Sequence, residues 1–236
     1  MIPHHPLQPL SIIEPGVPLW PADYNLPEDH CADVARGSYD IPFDPKTPPV
    51  VIDIGANCGM FTRWAAQRWP GCTIHAYEPE AGNYALLGRT IASMAVGEYK
   101  KGNVLNVSSR QQAVAGHNTR ALLHRGQFNC GEWSLLMDAG LGSVEVDVIS
   151  AADLPRADIL KIDAEGAEAS ILATLHQAGR IGEFSAIMLE THNPTWVAPI
   201  KLRMADAGFT LTGETQPYPN RSELKFVKTS LLSYPL

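Results

Sequence analysis

The segment Asp53-Ile54-Gly55-Ala56-Asn57-Cys58-Gly59 stands directly after a short apolar run and directly before an amphipathic stretch. Glycine at such a bend lets the backbone take left-handed angles and lets a ligand approach the main chain, while the following helix presents free N–H groups. One run later comes Glu78, followed by Pro79. A carboxylate at that strand end accepts both hydroxyls of a ribose, a geometry common to nucleoside cofactors. Nicotinamide enzymes use G-x-G-x-x-G so that a pyrophosphate lies against the loop, and the matching positions here are Gly55, Asn57 and Met60. Only the first is glycine, which argues against a NAD-dependent oxidoreductase. A cofactor with no pyrophosphate, holding a sulfonium and a carboxylate near the loop, does not need the missing glycines. The bland alternative is a tight turn with a solvent-facing Glu78.

A second group of chemically capable residues lies in Leu160-Lys161-Ile162-Asp163-Ala164-Glu165-Gly166-Ala167-Glu168 and in Glu190-Thr191-His192. In a parallel sheet the functional edge lies at the carboxyl ends of the strands, so Asp53, Glu78, Asp163 and Glu190 are expected on one rim. Lys161 and Asp163 share a strand face by the two-residue period, which also permits a plain ion pair. Glu165 and Glu168 open a helix, where carboxylates are favoured by free N–H groups and the helix dipole. Capping is the leading expectation for Glu168, and Glu165 stands between capping and the site.

The two motifs together resemble those of the FkbM-type methyltransferases. Val51 to Gly59 with Tyr77-Glu78-Pro79 is similar to the opening of that family, Leu160 to Glu168 to its second hallmark, and Glu190-Thr191-His192 to its fifth-strand ending. The resemblance covers about Tyr39 to Val227. It implies a Rossmann-like class I methyltransferase αβα sandwich with a mostly parallel sheet. It also implies methyl transfer from S-adenosylmethionine, commonly to a hydroxyl of a sugar or secondary metabolite. By that similarity Asp53, Gly55, Asn57 and Gly59 line the methionine side of the cofactor and Glu78 holds the ribose. Arg110 to Val114, with Gln112, form the third-strand end near adenine, and Asp163 faces the cofactor from the second hallmark.

Methyl transfer is an in-line displacement, so the protein must hold the acceptor behind the sulfonium and remove or polarise its proton. His192 is the only histidine at the expected rim, and its ordinary pKa suits proton transfer near neutrality. It is the expected base, with Asp163 beside it as the second catalytic candidate. A divalent cation is the other route to an activated hydroxyl, and Mg²⁺ would take oxygens of Asp163 and Glu190. Asn193-Pro194-Thr195-Trp196 is similar to the Asn-Pro-Pro-aromatic loop of enzymes that methylate exocyclic amines of bases. Here it follows the wrong strand and lacks the second proline. An N-methyltransferase acting on a small amine is the enzymatic alternative in the same fold, because the fold does not dictate the acceptor. A non-catalytic cofactor-binding subunit is the alternative of another class.

The elements that must position these groups are legible as alternation. Apolar runs at Val50–Ile54 and Cys72–Tyr77 flank an amphipathic stretch from Met60 to Trp69, which predicts βαβ units. Helices are expected over Glu80–Ala95, Ala167–Ala178 and Pro199–Ala207. Strands are expected near Val104–Val107, Ala121–His124, Val144–Ile149, Ile159–Ile162, Ala186–Glu190, Phe209–Gly213 and Glu223–Val227. Gln127 to Gly142 interrupts the pattern and suits either a loop over a site or a surface excursion. Residues 1–49 hold 11 of the 19 prolines, which disfavours long helices or central strands and predicts an arm ahead of a domain over 50–236. Leu19, Trp20, Tyr24, Leu26, Tyr39, Ile41 and Phe43 are its candidate packing residues, over the domain or over a partner in a homodimer.

A chain of 236 residues with 45% hydrophobic and 18% charged residues folds around one core. A net charge of -7 gives no basic face for nucleic acid, so a small-molecule acceptor is the expected partner. Cys31, Cys58, Cys72 and Cys130 have no zinc-ligand spacing, and neither a leader nor a membrane-spanning run is evident. A cytoplasmic setting with no membrane partner is the expectation.

Overall fold

Val50–Ile54 (β1) alternates its side chains, sending Val51 and Asp53 to one face and Ile52 and Ile54 to the other. Both faces are covered, so the strand is buried from Val51 to Ile54. In the computed structural model, which describes residues 37–100, 102–126 and 133–232 with a short pairing of Ile12–Glu14 on Val17–Pro18, β1 is an interior strand of a seven-stranded sheet. Met60–Arg68 (α1) leads to Thr73–Tyr77 (β2), Ala81–Lys100 (α2) and Asn106–Arg110 (β3). After an inserted segment come Ile159–Ile162, Glu168–Gln177, Ala186–Thr191, Val197–Asp206, Phe209–Tyr218 and Arg221–Lys228. Counting the insertion's four strands as β4 to β7, these are β8, α3, β9, α4, β10 and β11.

The sheet order is β10-β11-β9-β8-β1-β2-β3. β3, β2, β1, β8 and β9 are mutually parallel, while β11 runs antiparallel to both β9 and β10. Strand order reverses between β1 and β8, and in open α/β sheets ligands bind in the crevice beyond the strand ends at such a point. One face of the sheet packs Ile52, Ile54, Leu160, Ile162 and Leu189 against Ile171, Leu172 and Leu175 of α3 and Ile200 and Met204 of α4. The other packs Val51, Ile74, Ile159 and Met188 against Phe61 and Ala65 of α1. Each fully buried aliphatic side chain here contributes roughly 1.5–3 kcal/mol. The αβα sandwich expected from the sequence is the observed fold.

The insertion departs from simple alternation. Ala113–Ala115 (β4), Thr119–Arg125 (β5), Trp133–Ser134 (β6) and Ser143–Ser150 (β7) form a separate sheet in the order β4-β7-β5-β6. Two of these strands lie where the sequence predicts strands, but they do not extend the main sheet. β3 ends at Arg110, the chain bends through Gln111, and β4 pairs in parallel with β7. Burial on β5 follows the two-residue period: Leu123 is 1% exposed and Leu122 52%. The first faces a small core of Ala113, Val146 and Val148.

Of the arm, Tyr39, Ile41 and Phe43 pack against the α1 face, with the Tyr39 ring 5.1 Å from Phe61 and 5.6 Å from Trp64. Lys225 Nζ of β11 donates to the Gly37 carbonyl at 2.6 Å. Leu19, Trp20, Tyr24, Leu26, Cys31 and Cys130 lie outside the described residues, as does 127–132 of the predicted loop. Among the described residues no helix is long and apolar enough to cross a membrane.

Candidate active site

The loop after β1 is held by backbone bonds before any ligand is considered. Gly55 N and Ala56 N both donate to the Tyr77 carbonyl, at 3.0 and 2.9 Å. Gly55 has φ +69, and a Cβ there would lie 1.7 Å from the Asp163 carbonyl oxygen. Glycine is therefore demanded by the close approach of β1 to β8, whatever the loop binds. Asn57 takes φ 49 without being glycine, and its Oδ1 accepts from Cys58 N at 2.6 Å.

Glu78 closes the same loop from β2. Its Oε2 accepts from Asn57 N at 2.8 Å and its Oε1 from Glu80 N at 2.9 Å. The residue is 5% exposed, so the solvent-facing alternative falls. Burial pushes its pKa up to about 7, partly offset by the N–H groups of Glu80 and Asn57. Each oxygen keeps a further lone pair, as a ribose diol requires.

Lys161 lies opposite Asp53 in the β8–β1 register. Its Nζ donates to the carbonyls of Gly55 and Ile54 at 2.7 and 3.2 Å and lies 3.3 Å from Asp53 Oδ1 and 3.6 Å from Asp163 Oδ2. Burial alone would lower its pKa, but Asp53 and Asp163 outweigh that and raise it. Asp53 also accepts from Thr62 Oγ1 of α1 at 2.6 Å and has no exposed surface. The ion pair weighed from sequence is present, and it also clamps the loop carbonyls.

Beyond β8 and β9 the polar groups meet largely through side chains. Glu168 is fully buried at the start of α3. Its Oε1 accepts from Gly166 N at 2.9 Å, as a capping carboxylate would, and meets His192 Nδ1 at 2.9 Å. His192 Nε2 lies 3.2 Å from Glu165 Oε2, 3.3 Å from Glu190 Oε1 and 3.9 Å from Asp163 Oδ1. Arg221 of β11 reaches Glu190 at 3.4 Å and Glu165 at 4.0 Å. Burial would lower the His192 pKa, but Glu168, Glu190, Glu165 and Asp163 together raise it to about 11. Burial likewise raises Glu165 to about 8, opposed by His192 and reinforced by Asp163. The structure thus places His192, the base expected from the sequence, in a buried cluster of carboxylates. The side chain is only 3% exposed, with Nδ1 held by Glu168 and Nε2 turned toward the surrounding carboxylates.

A cleft of about 530 Å³, its open mouth included, runs along this rim. Gly55, Asn57, Glu78, Gln112 and Asp163 line it, together with Trp133, Leu135 and Glu165. Asp53 and Gly59 stand behind the loop, Asp53 under Lys161 and Gly59 against Leu87 and Thr90 of α2. Glu190 and His192 lie beyond the cleft wall. Trp133 and Leu135 bring the end of the predicted loop to the site, and Ser134 Oγ donates to the Glu165 carbonyl at 2.6 Å. Asn193 accepts from Thr195 N at 3.0 Å as the cap of a 3-10 turn over Pro194–Trp196, which accounts for the Asn-Pro-Thr-Trp segment. Arg221 escaped sequence reasoning because no local pattern marks it. Only the antiparallel register of β11 on β9, with Thr191 opposite Ser222, brings it there.

Comparison with known proteins bears on the family and the fold. Residues 53–211 match the Methyltransferase FkbM domain. The chain is 25% identical to methyltransferase sdnD of Sordaria araneosa, over 78% of this chain and 79% of that one. It is 26% identical to the 31-O-demethyl-FK506 methyltransferase FkbM of Streptomyces tacrolimicus, over 71% of this chain and 75% of that one. A crystal structure of Methyltransferase FkbM from Methylobacillus flagellatus superposes with a TM-score of 0.54 at 15% identity, covering 76% of this chain and 43% of that longer one.

Proposed function

The chain belongs to the FkbM methyltransferase family, and we propose that it moves a methyl group from S-adenosylmethionine to a hydroxyl of a small natural product or sugar. The observation that carries this reading is the cleft at the strand-order reversal, with Glu78 on one wall and Asp163 and Glu165 on the other. The name of the Streptomyces tacrolimicus relative describes a demethylated oxygen as its acceptor, which supports oxygen over nitrogen here.

In this reading Glu78 accepts the two ribose hydroxyls, and Gln112 borders the adenine end. Gly55 and Asn57 face the methionine portion, while Lys161 and Asp53 fix the loop from behind. When bound, the cofactor supplies an electrophilic methyl group. Asp163, at the open end of β8 and 28% exposed, receives the proton of the acceptor hydroxyl. Leu123, Trp133 and Leu135 line the apolar side of the cleft, where they exclude water from the reacting atoms.

Titration calorimetry with S-adenosylhomocysteine and with NAD tests the cofactor, and only the first is expected to bind. Incubation with methyl-labelled S-adenosylmethionine and paired hydroxyl and amine acceptors tests the oxygen, with label expected on the hydroxyl compounds. Binding of NAD alone overturns the cofactor assignment, and label found solely on amines overturns the acceptor.

A further inference from the structure

We infer that Asp163, Glu165 and His192 form a binding site for one divalent first-row transition ion at the edge of the cofactor cleft. One ligand atom from each lies within 4.8 Å of the others. Ligands at about 2.1 Å from a common ion stand between about 3.0 Å apart when adjacent and about 4.2 Å when opposite. The observed 3.2 Å from His192 Nε2 to Glu165 and 3.9 Å to Asp163 fall inside that interval.

A group of acids alone would not make a site. The second observation is the histidine, whose side chain is 3% exposed and whose Nε2 is buried without a hydrogen bond of good geometry among the described residues. That nitrogen is aimed at the carboxylates, while Nδ1 is fixed at 2.9 Å by the fully buried Glu168. An imidazole that gives one ring N–H to a buried carboxylate and presents the other nitrogen to a cation is the usual outer-shell arrangement of a metal-bound histidine.

Charge points the same way. Asp53, Asp163, Glu165, Glu168 and Glu190 gather around two permanent cations, Lys161 and Arg221. Arg221 lies closer to Glu190 than to Glu165, so Glu190 already has a cationic partner. The pair drawn from the sequence for Mg²⁺, Asp163 with Glu190, is thus replaced by Asp163 with Glu165 and an imidazole. Nitrogen ligation favours ions such as Mn²⁺, Fe²⁺ or Zn²⁺ over Mg²⁺. Asp163 and Glu165 both line the cleft, so an ion held there would face the space assigned to the acceptor.

The test uses the full chain, stripped with chelator and titrated with Mn²⁺ in the absence of cofactor, followed by electron paramagnetic resonance. One Mn²⁺ per chain is expected, with the spin-echo nitrogen modulation of a directly bound imidazole. Glu165→Gln and Asp163→Asn should each weaken uptake about ten- to a hundred-fold, and His192→Ala should remove the nitrogen signature. Glu165→Gln keeps shape and partial exposure, so it reads the site even where His192→Ala fails to fold. An absence of stoichiometric uptake, a bound ion with oxygen ligands only, or undiminished uptake in Glu165→Gln and Asp163→Asn overturns the site. S-adenosylhomocysteine binding by the same metal-free protein is read separately, so failure here leaves the methyl-transfer reading intact.

Discussion

The two walls of the cleft bury carboxylates by opposite means. On the β1–β2 side, Glu78 is satisfied by two backbone N–H groups, from Asn57 and Glu80, within one loop and its neighbour. On the β8–β9 side, Glu165, Glu168 and Glu190 meet His192 and Arg221, side chains contributed by several elements, and of the three only Glu168 is shown also taking a backbone N–H, from Gly166. A carboxylate held by main chain is fixed once the loop closes. A carboxylate held by side chains depends on the net charge of its neighbours, and therefore on protons or cations. The first wall suits a preformed cofactor pocket, and the second suits the part of the site where charge must change during a reaction.

That contrast can be broken first at its rigid end. Gly55→Ala would place a methyl 1.7 Å from the Asp163 carbonyl. A loss on the order of 4 kcal/mol or more is expected, read as a collapse of the denaturation midpoint. A fully stable variant would mean that β1 and β8 separate easily. On the other wall, Glu168→Ala strands the buried His192 and the Gly166 N–H, and should cost about 3–5 kcal/mol in urea unfolding.

Glu78→Ala is expected to weaken S-adenosylhomocysteine ten- to a hundred-fold, about 1.5–3 kcal/mol of charged hydrogen bonding. Calorimetry that finds wild-type affinity removes Glu78 from the ribose. Acid should act in the same direction, because Glu78 titrates near 7 and the ionised form accepts from the diol. Glu80 and Lys161 are the charged groups that bear on it, and Glu80 raises its pKa while Lys161 lowers it. Affinity should fall roughly tenfold between pH 8 and pH 6, and a rise would contradict the assignment. In the ligand-free protein the sign is reversed. The folded state keeps a proton that the unfolded chain releases near 4.5, so Glu78 subtracts stability as pH climbs from there to about 7.

Arg221→Ala should have the smallest effect, about 1 kcal/mol on thermal unfolding, since its contacts to Glu190 and Glu165 are long and partly exposed. A loss as large as that of Glu168→Ala would show the charged wall to be one cooperative unit.

What the sequence determined by itself was local. The turn with Gly55, the acid at the end of β2 and the βαβ alternation are written in consecutive residues, because a loop that bonds its own backbone needs only its own chain. The order of apolar runs likewise determined the parallel sheet and hence the shared rim of Glu78, Asp163 and Glu190. The tertiary structure alone decided the rest. Asp53 and Lys161 face each other through the β8–β1 register, behind the loop and away from the cleft. Arg221 arrives through an antiparallel strand, and the insertion closes into its own sheet with Trp133 and Leu135 over the site. His192 is legible as a titratable residue at a strand end. Whether it is a base or a buried ring among carboxylates depends on how many charges surround it, and that number is set by three separate segments, around Asp163 to Glu168, Glu190 to His192 and Arg221, joined only when the sheet forms.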